Sequence, residues 1–412
     1  MFSQIIFVDL PAQHRQLLPL TATRPIAELR VGIMRIREKW LTRFPEAVLG
    51  GYISALPFQP VANDSKRSQQ ENLYIGGGVL PNERLLTAIC QLPAEHSLWA
   101  ADYLLAYRTG KVYEHWQPLV DQAAQHAIPF THTAIVRHLT DIFRLNRQEI
   151  EADWQLISSL RPSQKITDKH TAVYGAENIF IEPGATIKAA VLNAETGVIY
   201  IGKNAIVGEG SLIRGAFALG EGAQLNMGTI IRGDTTVGEY CKVGGEISNS
   251  VFLGYSNKAH EGFIGNSVIG EYCNLGAGTT ISNMKNTAGN ITLWNYARNE
   301  FETLERQFCG LFLGDFCMTG IHTTFNTATV AGPGLNLFNT GLPAKFIPPF
   351  AWGTPQTLSL YRLEDLQKTI DRLRAFKNKP PLSRQEKDLL RAVFVSLHEY
   401  IISAGYEPEN KS

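Results

Sequence analysis

Little in this sequence points to metal clusters, membranes or polyanions. Its five cysteines (Cys90, Cys241, Cys273, Cys309, Cys317) are odd in number and form no C-x-x-C pair. Neither zinc nor a disulfide framework is suggested, and buried reduced thiols are expected. No apolar run approaches the length that crosses a bilayer. Lys+Arg and Asp+Glu both total 38, so no global basic field draws nucleic acid, although a local pocket for phosphate is still open. The opening MFSQIIFVDLPAQH has no basic n-region and an acid after its apolar stretch. It is expected to be a first β-strand of a cytoplasmic protein rather than a secretory signal. Low-complexity sequence is absent.

What is present is a repeat. From Ile201, aliphatic residues fall every sixth position: Ile201, Val207, Ile213, Leu219, Leu225, Ile231, Val237 and Val243. Glycine follows several of them, and small residues recur four positions on, as at Ala205, Ser211, Ala223 and Thr229. A period of six fits neither an α-helix nor an ordinary strand. It fits a triangular coil, each side a short strand plus a turn, with the aliphatic residue pointing inward so that successive coils stack an apolar column. The expected fold is a left-handed parallel β-helix over about 181–338, starting at Ile181 and Ile187. The period returns at Ile264, Ile269, Leu275 and Ile281, then at Leu313, Thr319, Phe325, Ala331 and Leu337. Two stretches, 245–263 and 282–312, read as excursions, where sites tend to sit.

With 412 residues, 44% hydrophobic and 18% charged, the chain is long enough for two or three globular domains. Residues 1–165 alternate strand and helix candidates, which argues for an α/β domain with a mixed or parallel sheet. IIFVDL, ENLYIGGG and SLWAADYLLAYRTG read as strands. AELRVGIMRIREKWLTRF and PNERLLTAICQL read as helices, the second opened by Pro81. The coil domain is placed at 170–345. Residues 346–412 form a tail of two amphipathic helices separated by Pro380-Pro381.

Three groups of residues carry chemistry. The first is Asn257-Lys258-Ala259-His260, followed by Asn274-Leu275-Gly276-Ala277-Gly278-Thr279 and then Asn283. Most single histidines are structural or exposed. One presented at a coil edge beside polar groups can take a proton from an amine attacking a thioester. The second is Arg232, whose planar fork suits a phosphate. His322 is a rival base, expected to be an outward-pointing structural residue. The third is N-terminal: Asp9, Arg15 and Arg24.

The stretch SNKAHEGFIGNSVIGEYCNLGAGTTISN resembles the acetyltransferase half of the GlmU-type bifunctional enzymes, which join a nucleotidyltransferase to a hexapeptide-repeat coil. The phrase RPIAELRVGI-x-x-IREKW, the segment ITLWNYARNEFETLERQFCGLFLGD and the tail FIPPFAWG resemble a divergent Bacteroidetes-type branch of that family, over nearly the whole chain. The resemblance implies acetyl-CoA-dependent N-acetylation of glucosamine-1-phosphate. Uridylyl transfer from UTP, with Mg²⁺, would then give UDP-N-acetylglucosamine. It implies His260 as general base and Arg232, Glu246, Lys258, Phe263, Asn274 and Asn283 around the sugar phosphate. Backbone amides of Gly276 and Ala277 would lie near the thioester, and a homotrimer would bind small molecules rather than nucleic acid or membrane. In the N-terminal domain Asp9, Arg15 and Arg24 fall at nucleotide-binding positions.

Departures from the family pattern are specific. Ser248 replaces a substrate-binding Lys, with Lys285 a possible substitute cation, and Phe263 replaces a Tyr. DLPAQHR replaces the Gly-rich phosphate loop, and Gly76-Gly77-Gly78 stands where a metal-binding Asp is usual. Asp9 or Asp141 is then left as the available carboxylate, and no metal ligand is assignable. The alternative is an acyltransferase alone, acting on another amino-sugar phosphate or a nucleotide-sugar, with a catalytically degenerate N-terminal domain.

Overall fold

The computed structural model describes residues 2–56, 58, 71–339 and 341–403. Two compact units emerge. The first comprises Met1–Leu17, Arg24–Leu29 and Met34–Asp141; the second takes Leu18–Thr23, Arg30–Ile33 and Ile142–Ser412.

The first unit is built on a six-stranded mixed sheet. Its strands are β1 (Gln4–Val8), β2 (Val48–Ile53), β3 (Asn72–Gly76), β4 (Ser97–Ala100), β5 (Tyr103–Thr109) and β6 (Ala127–Pro129), in the order β2-β1-β3-β5-β4-β6. All five residues of β1 are buried, as a run apolar on both faces requires in a central parallel strand. β2 and β3 flank β1 in parallel, whereas SLWAADYLLAYRTG folds into the antiparallel pair β4–β5. The helices α1 (Pro11–Gln16), α2 (Ile36–Arg43), α3 (Glu83–Gln91) and α4 (Trp116–Ala123) connect them. Asn82, one residue after Pro81, caps α3 by accepting from Leu85 N–H at 2.9 Å.

The expected helix over AELRVGIMRIREKW begins only at Ile36. Before it the chain makes a 3-10 turn at Ile26–Glu28 and then bends through Gly32 (φ +86°), because its amides bond elsewhere. Gly32 N–H donates to Asn146 Oδ1 at 2.8 Å and Ile33 N–H to Asp153 Oδ2 at 2.9 Å. Both acceptors stand on α5 (Leu139–Leu160).

The second unit is a parallel β-solenoid whose strands stack into sheets of six, nine and ten strands, one per face of the prism. The inward column is the one that the period marks: Ile201, Val207, Ile213, Leu219, Leu225, Ile231, Val237 and Val243 are all buried. The nine-stranded face is covered, with Phe180, Tyr200, Ala216 and Ala218 packing with Ile150 and Ile157 of α5. Cys241, Cys273 and Cys317 fill small interior positions, and burial pushes the Cys241 thiol up to about 12. Cys90, by contrast, is exposed on α3.

One of the two expected excursions does not exist. Residues 245–263 continue the coil through Glu246–Ser248, Val251–Gly254 and Asn257–Lys258, in register with the turns on either side. The period breaks there because the corner between Val243 and Glu246 is cut to Gly244-Gly245, and because Lys258 replaces an aliphatic residue inside the prism. The second excursion is real. Residues 282–312 project an antiparallel hairpin, Ile291–Asn295 with Glu300–Leu304, and Trp294 stacks on Phe346 at 4.2 Å.

The tail helices α6 (Leu363–Phe376), α7 (Arg384–Ser396) and α8 (His398–Ser403) pack on the solenoid. Phe394 meets Phe350 edge-on at 5.0 Å, and Tyr400 O–H donates to Tyr296 O at 2.8 Å. Among the described residues no helix is long and apolar enough to cross a membrane.

Candidate active site

The register of the coil gathers the first group of residues at one corner. Asn257 pairs with Asn274 and Asn274 with Met318. Counting on from those strands puts His260 level with Ala277 and with Ile321, on three successive turns of the corner. His260 is exposed there. His322 shares the corner: its N–H donates to Ala277 O at 2.7 Å, and its ring lies so close over Gly278 (φ +71°) that a Cβ there would overlap it. Outward-pointing and exposed, His322 is two turns from His260, a proximity that no local motif announces.

Not every expected contact can be made. Gly276 N–H is committed to Thr319 O at 3.1 Å, so it cannot serve an oxyanion. The Ala277 amide has no hydrogen-bond partner among the described residues and is half-exposed. Lys258 is fully buried, so it cannot touch a substrate; its ammonium bonds to carbonyls inside the corner. Asn274 is exposed, and Asn257 Nδ2 donates to its Oδ1 at 3.5 Å. The far side of Asn257 is held by the tail, Lys377 Nζ donating to its Oδ1 at 2.8 Å. That bond orients the Asn257 amide, turning its NH₂ toward Asn274. Lys377 was invisible to motif reading because it lies more than a hundred residues downstream.

On the adjoining six-stranded face, Arg232 and Glu246 form an ion pair at 3.1 Å. They line a groove of about 530 Å³ with Val191, Asn193, Leu212, Arg214 and Ile230. Arg214, absent from the sequence reading, stands one strand below Arg232. Phe263 and Asn283 come together at Gly265 on the same face, where Asn283 Nδ2 donates to Asn266 Oδ1 at 2.8 Å. Ser248 is in register with Gly265 there. Lys285 bonds Asn290 O within the second excursion.

In the first unit β1 is flanked in parallel on both sides, so its carboxyl end is a topological switch point, where open α/β sheets bind ligands. Asp9 follows β1 and Gly77 follows β3. Asp9 is 1% exposed; its Oδ2 accepts from Ile26 N–H at 2.8 Å, while Oδ1 has no hydrogen-bond partner. A Cβ on Gly77 would overlap that oxygen. Burial pushes the Asp9 carboxyl up to about 7, the Ile26 amide opposing.

The expectation of Asp9 as a nucleotide or metal ligand is therefore corrected: it is sealed by the close approach of Ile26 and Gly77. Asp141 is also engaged, accepting from Arg137 N–H at 3.0 Å and His138 N–H at 2.9 Å at the start of α5. Among the described residues no group of three or more His, Cys, Asp or Glu could hold a metal ion. Nor are the three glycines a phosphate cradle, since Gly77 N–H bonds Val8 O at 2.9 Å and Gly78 N–H bonds the Tyr103 hydroxyl at 3.1 Å. Arg15 is exposed on α1 and Arg24 is buried.

Residues 5–162 match the sugar nucleotidyl transferase family. The match covers the first unit and α5 but stops before the solenoid. No curated protein matches the chain. Similar solved structures include a hexapeptide transferase family protein from Anaplasma phagocytophilum, 14% identical, covering 57% of this chain and 93% of that one with a TM-score of 0.18. Another is a UDP-N-acetylglucosamine acyltransferase from Campylobacter jejuni, 15% identical, covering 56% and 92%, with a TM-score of 0.27.

Proposed function

We propose that the chain is a bifunctional transferase whose solenoid N-acetylates an amino-sugar 1-phosphate from acetyl-CoA. Its first unit would then couple the product to UTP to give UDP-N-acetylglucosamine. The observation that carries the acyl-transfer half is the corner itself, where an exposed His260 and the unpartnered Ala277 amide lie on successive turns. His260 takes the proton as the 2-amino nitrogen attacks the thioester carbonyl. The carbonyl oxygen gains charge and finds the Ala277 N–H, and collapse expels CoA as its thiolate. Arg232 lies two strands below the segment that follows His260, about 10 Å at roughly 4.8 Å per strand. A guanidinium reaching upward meets the phosphate of a sugar whose amine sits at the corner, and Glu246 yields it readily because exposed ion pairs are weak. Glucosamine-1-phosphate is the acceptor that the reading names first.

The experiment is release of CoA from acetyl-CoA across several amino-sugar phosphates, with His260→Ala as control. Loss of about 10²–10⁴ in kcat is expected for a general base; release independent of His260 rejects the acetyl half.

A second reading concerns only the first unit: it binds a nucleotide or nucleotide-sugar without turnover. The sealed Asp9 and the occupied amides of Gly77 and Gly78 favour it. Pyrophosphate release from UTP and N-acetylglucosamine-1-phosphate, sensitive to Arg15→Ala, would reject this second reading, and running dTTP beside UTP reads the base preference.

A further inference from the structure

The interior of a β-solenoid is an apolar column, and a lysine within it is out of place. On the ten-stranded face the inward residues run Val207, Leu225, Val243, Lys258 and Leu275. Lys258 thus stands where its neighbours are aliphatic, and it is 0% exposed. Burying an ammonium is costly unless its donors are satisfied. Here Nζ donates to His260 O at 2.6 Å and to Glu261 O at 2.7 Å. Both carbonyls belong to the corner that presents His260.

The other carbonyls of that corner are also held. Asn226 Nδ2 donates to Ala259 O at 2.7 Å, reaching past the shortened Gly244-Gly245 corner between them. Glu246 N–H donates to Gly262 O at 3.2 Å. The corner 259–262 therefore has its four carbonyls pinned, two of them from inside the prism by one side chain. The adjacent corner over Gly276 and Ala277 achieves its order without any internal charge, so the coil itself does not demand a lysine.

We propose that Lys258 is a positioning residue whose buried amine fixes the His260–Glu261 backbone and so aims the imidazole at the acceptor. The proposal rests on the reading of His260 as the base. Stability and activity should then separate on substitution. Methionine has nearly the same length and suits an aliphatic column, and replacing a buried charge by an apolar side chain of like volume is often neutral or stabilising.

The test compares wild type with Lys258→Met, and with Lys258→Leu should the methionine variant not fold. Three quantities are read: thermal midpoint, the rate at which a Glu-specific protease cuts the Glu261–Gly262 bond (mapped by mass), and CoA release. The expected result is an equal or higher midpoint and cleavage after Glu261 at least tenfold faster. kcat should fall at least tenfold, with KM for acetyl-CoA within twofold. Unchanged cleavage after Glu261 overturns the proposal whatever the activity. Activity lost in step with a lowered midpoint also overturns it, because packing alone would explain both. Should His260→Ala keep full CoA release, the base reading fails, while the cleavage rate still judges whether Lys258 pins the corner.

Discussion

At the scale of single residues, two buried charges give pH signatures of opposite sign. Asp9 has its carboxyl raised by burial to about 7. The folded state then holds a proton that the unfolded chain releases near 3.9. Stability from this group is complete at low pH and is lost as pH rises toward and through 7. Asp9→Asn is expected to flatten that fall and to raise the thermal midpoint above pH 7, since an amide costs less to bury than a carboxylate. A midpoint that drops at pH 8 would contradict the sealed-carboxyl description. Lys258 runs the other way. Burial pushes its amine down to about 8, the Glu261 carboxylate opposing. Between that value and about 10.4 the unfolded chain binds the extra proton, so stability rises with pH across this window. Chemical denaturation of wild type and Lys258→Met at pH 7.5 and 9.5 reads the difference, which should shrink as pH rises. For Arg232, replacement by Lys keeps the charge but loses the fork. KM for the acceptor is expected to rise about tenfold with kcat changed less, as steady-state kinetics would show.

Among elements, α5 and the corner of the coil matter most. Asn146 of α5 is fully buried and makes three side-chain hydrogen bonds. It accepts from Gly32 N–H at 2.8 Å and from the Thr236 hydroxyl at 3.1 Å, and donates to Asp234 O at 3.0 Å. Asn146→Leu would strand the buried Gly32 N–H and take a partner from Asp234 O, while the Thr236 hydroxyl would keep only Gly32 O at 3.0 Å. A loss on the order of 3 kcal/mol is expected from urea denaturation, against about 1 for an average substitution. The same bonds explain why AELRVGIMRIREKW does not become one helix: helical amides would forfeit these partners. Local periodicity reads apolar spacing, and it has no access to acceptors more than a hundred residues away. The coil shows a different failure of local reading. The six-residue period stops at Val243 because the next corner is two residues shorter and Lys258 is polar by type though interior by position. The residue that broke the pattern is the one that holds His260. The Gly276 amide is a third instance: a motif places it near the thioester, but a ladder bond to Thr319 consumes it.

For the whole molecule, the second unit is not a contiguous stretch of chain. It takes in Leu18–Thr23 and Arg30–Ile33, and Ile33 packs in the cluster with Ile150, Ile157, Phe180 and Tyr200. A fragment beginning at residue 166 would keep every coil yet expose the Phe180, Tyr200, Ala216 and Ala218 surface. It is expected to aggregate, while a fragment beginning at 139 retains α5 and is more soluble; light scattering at matched concentration compares the two. Equal behaviour would mean that α5 contributes little to the covered face.

The amino-acid sequence by itself determined the solenoid, because a six-residue aliphatic period has one economical way to bury itself. It also determined the α/β character of the first unit, from alternating strand and helix patterns, and its resemblance to the GlmU-type motifs marked His260 and Arg232. Tertiary structure alone decided which groups are within reach. It sealed Asp9 behind Gly77, spent the Gly276 amide, turned Lys258 inward and brought Lys377 and His322 to the neighbourhood of the corner. Burial and hydrogen-bond partners come from segments distant in the chain, so no window of sequence contains them.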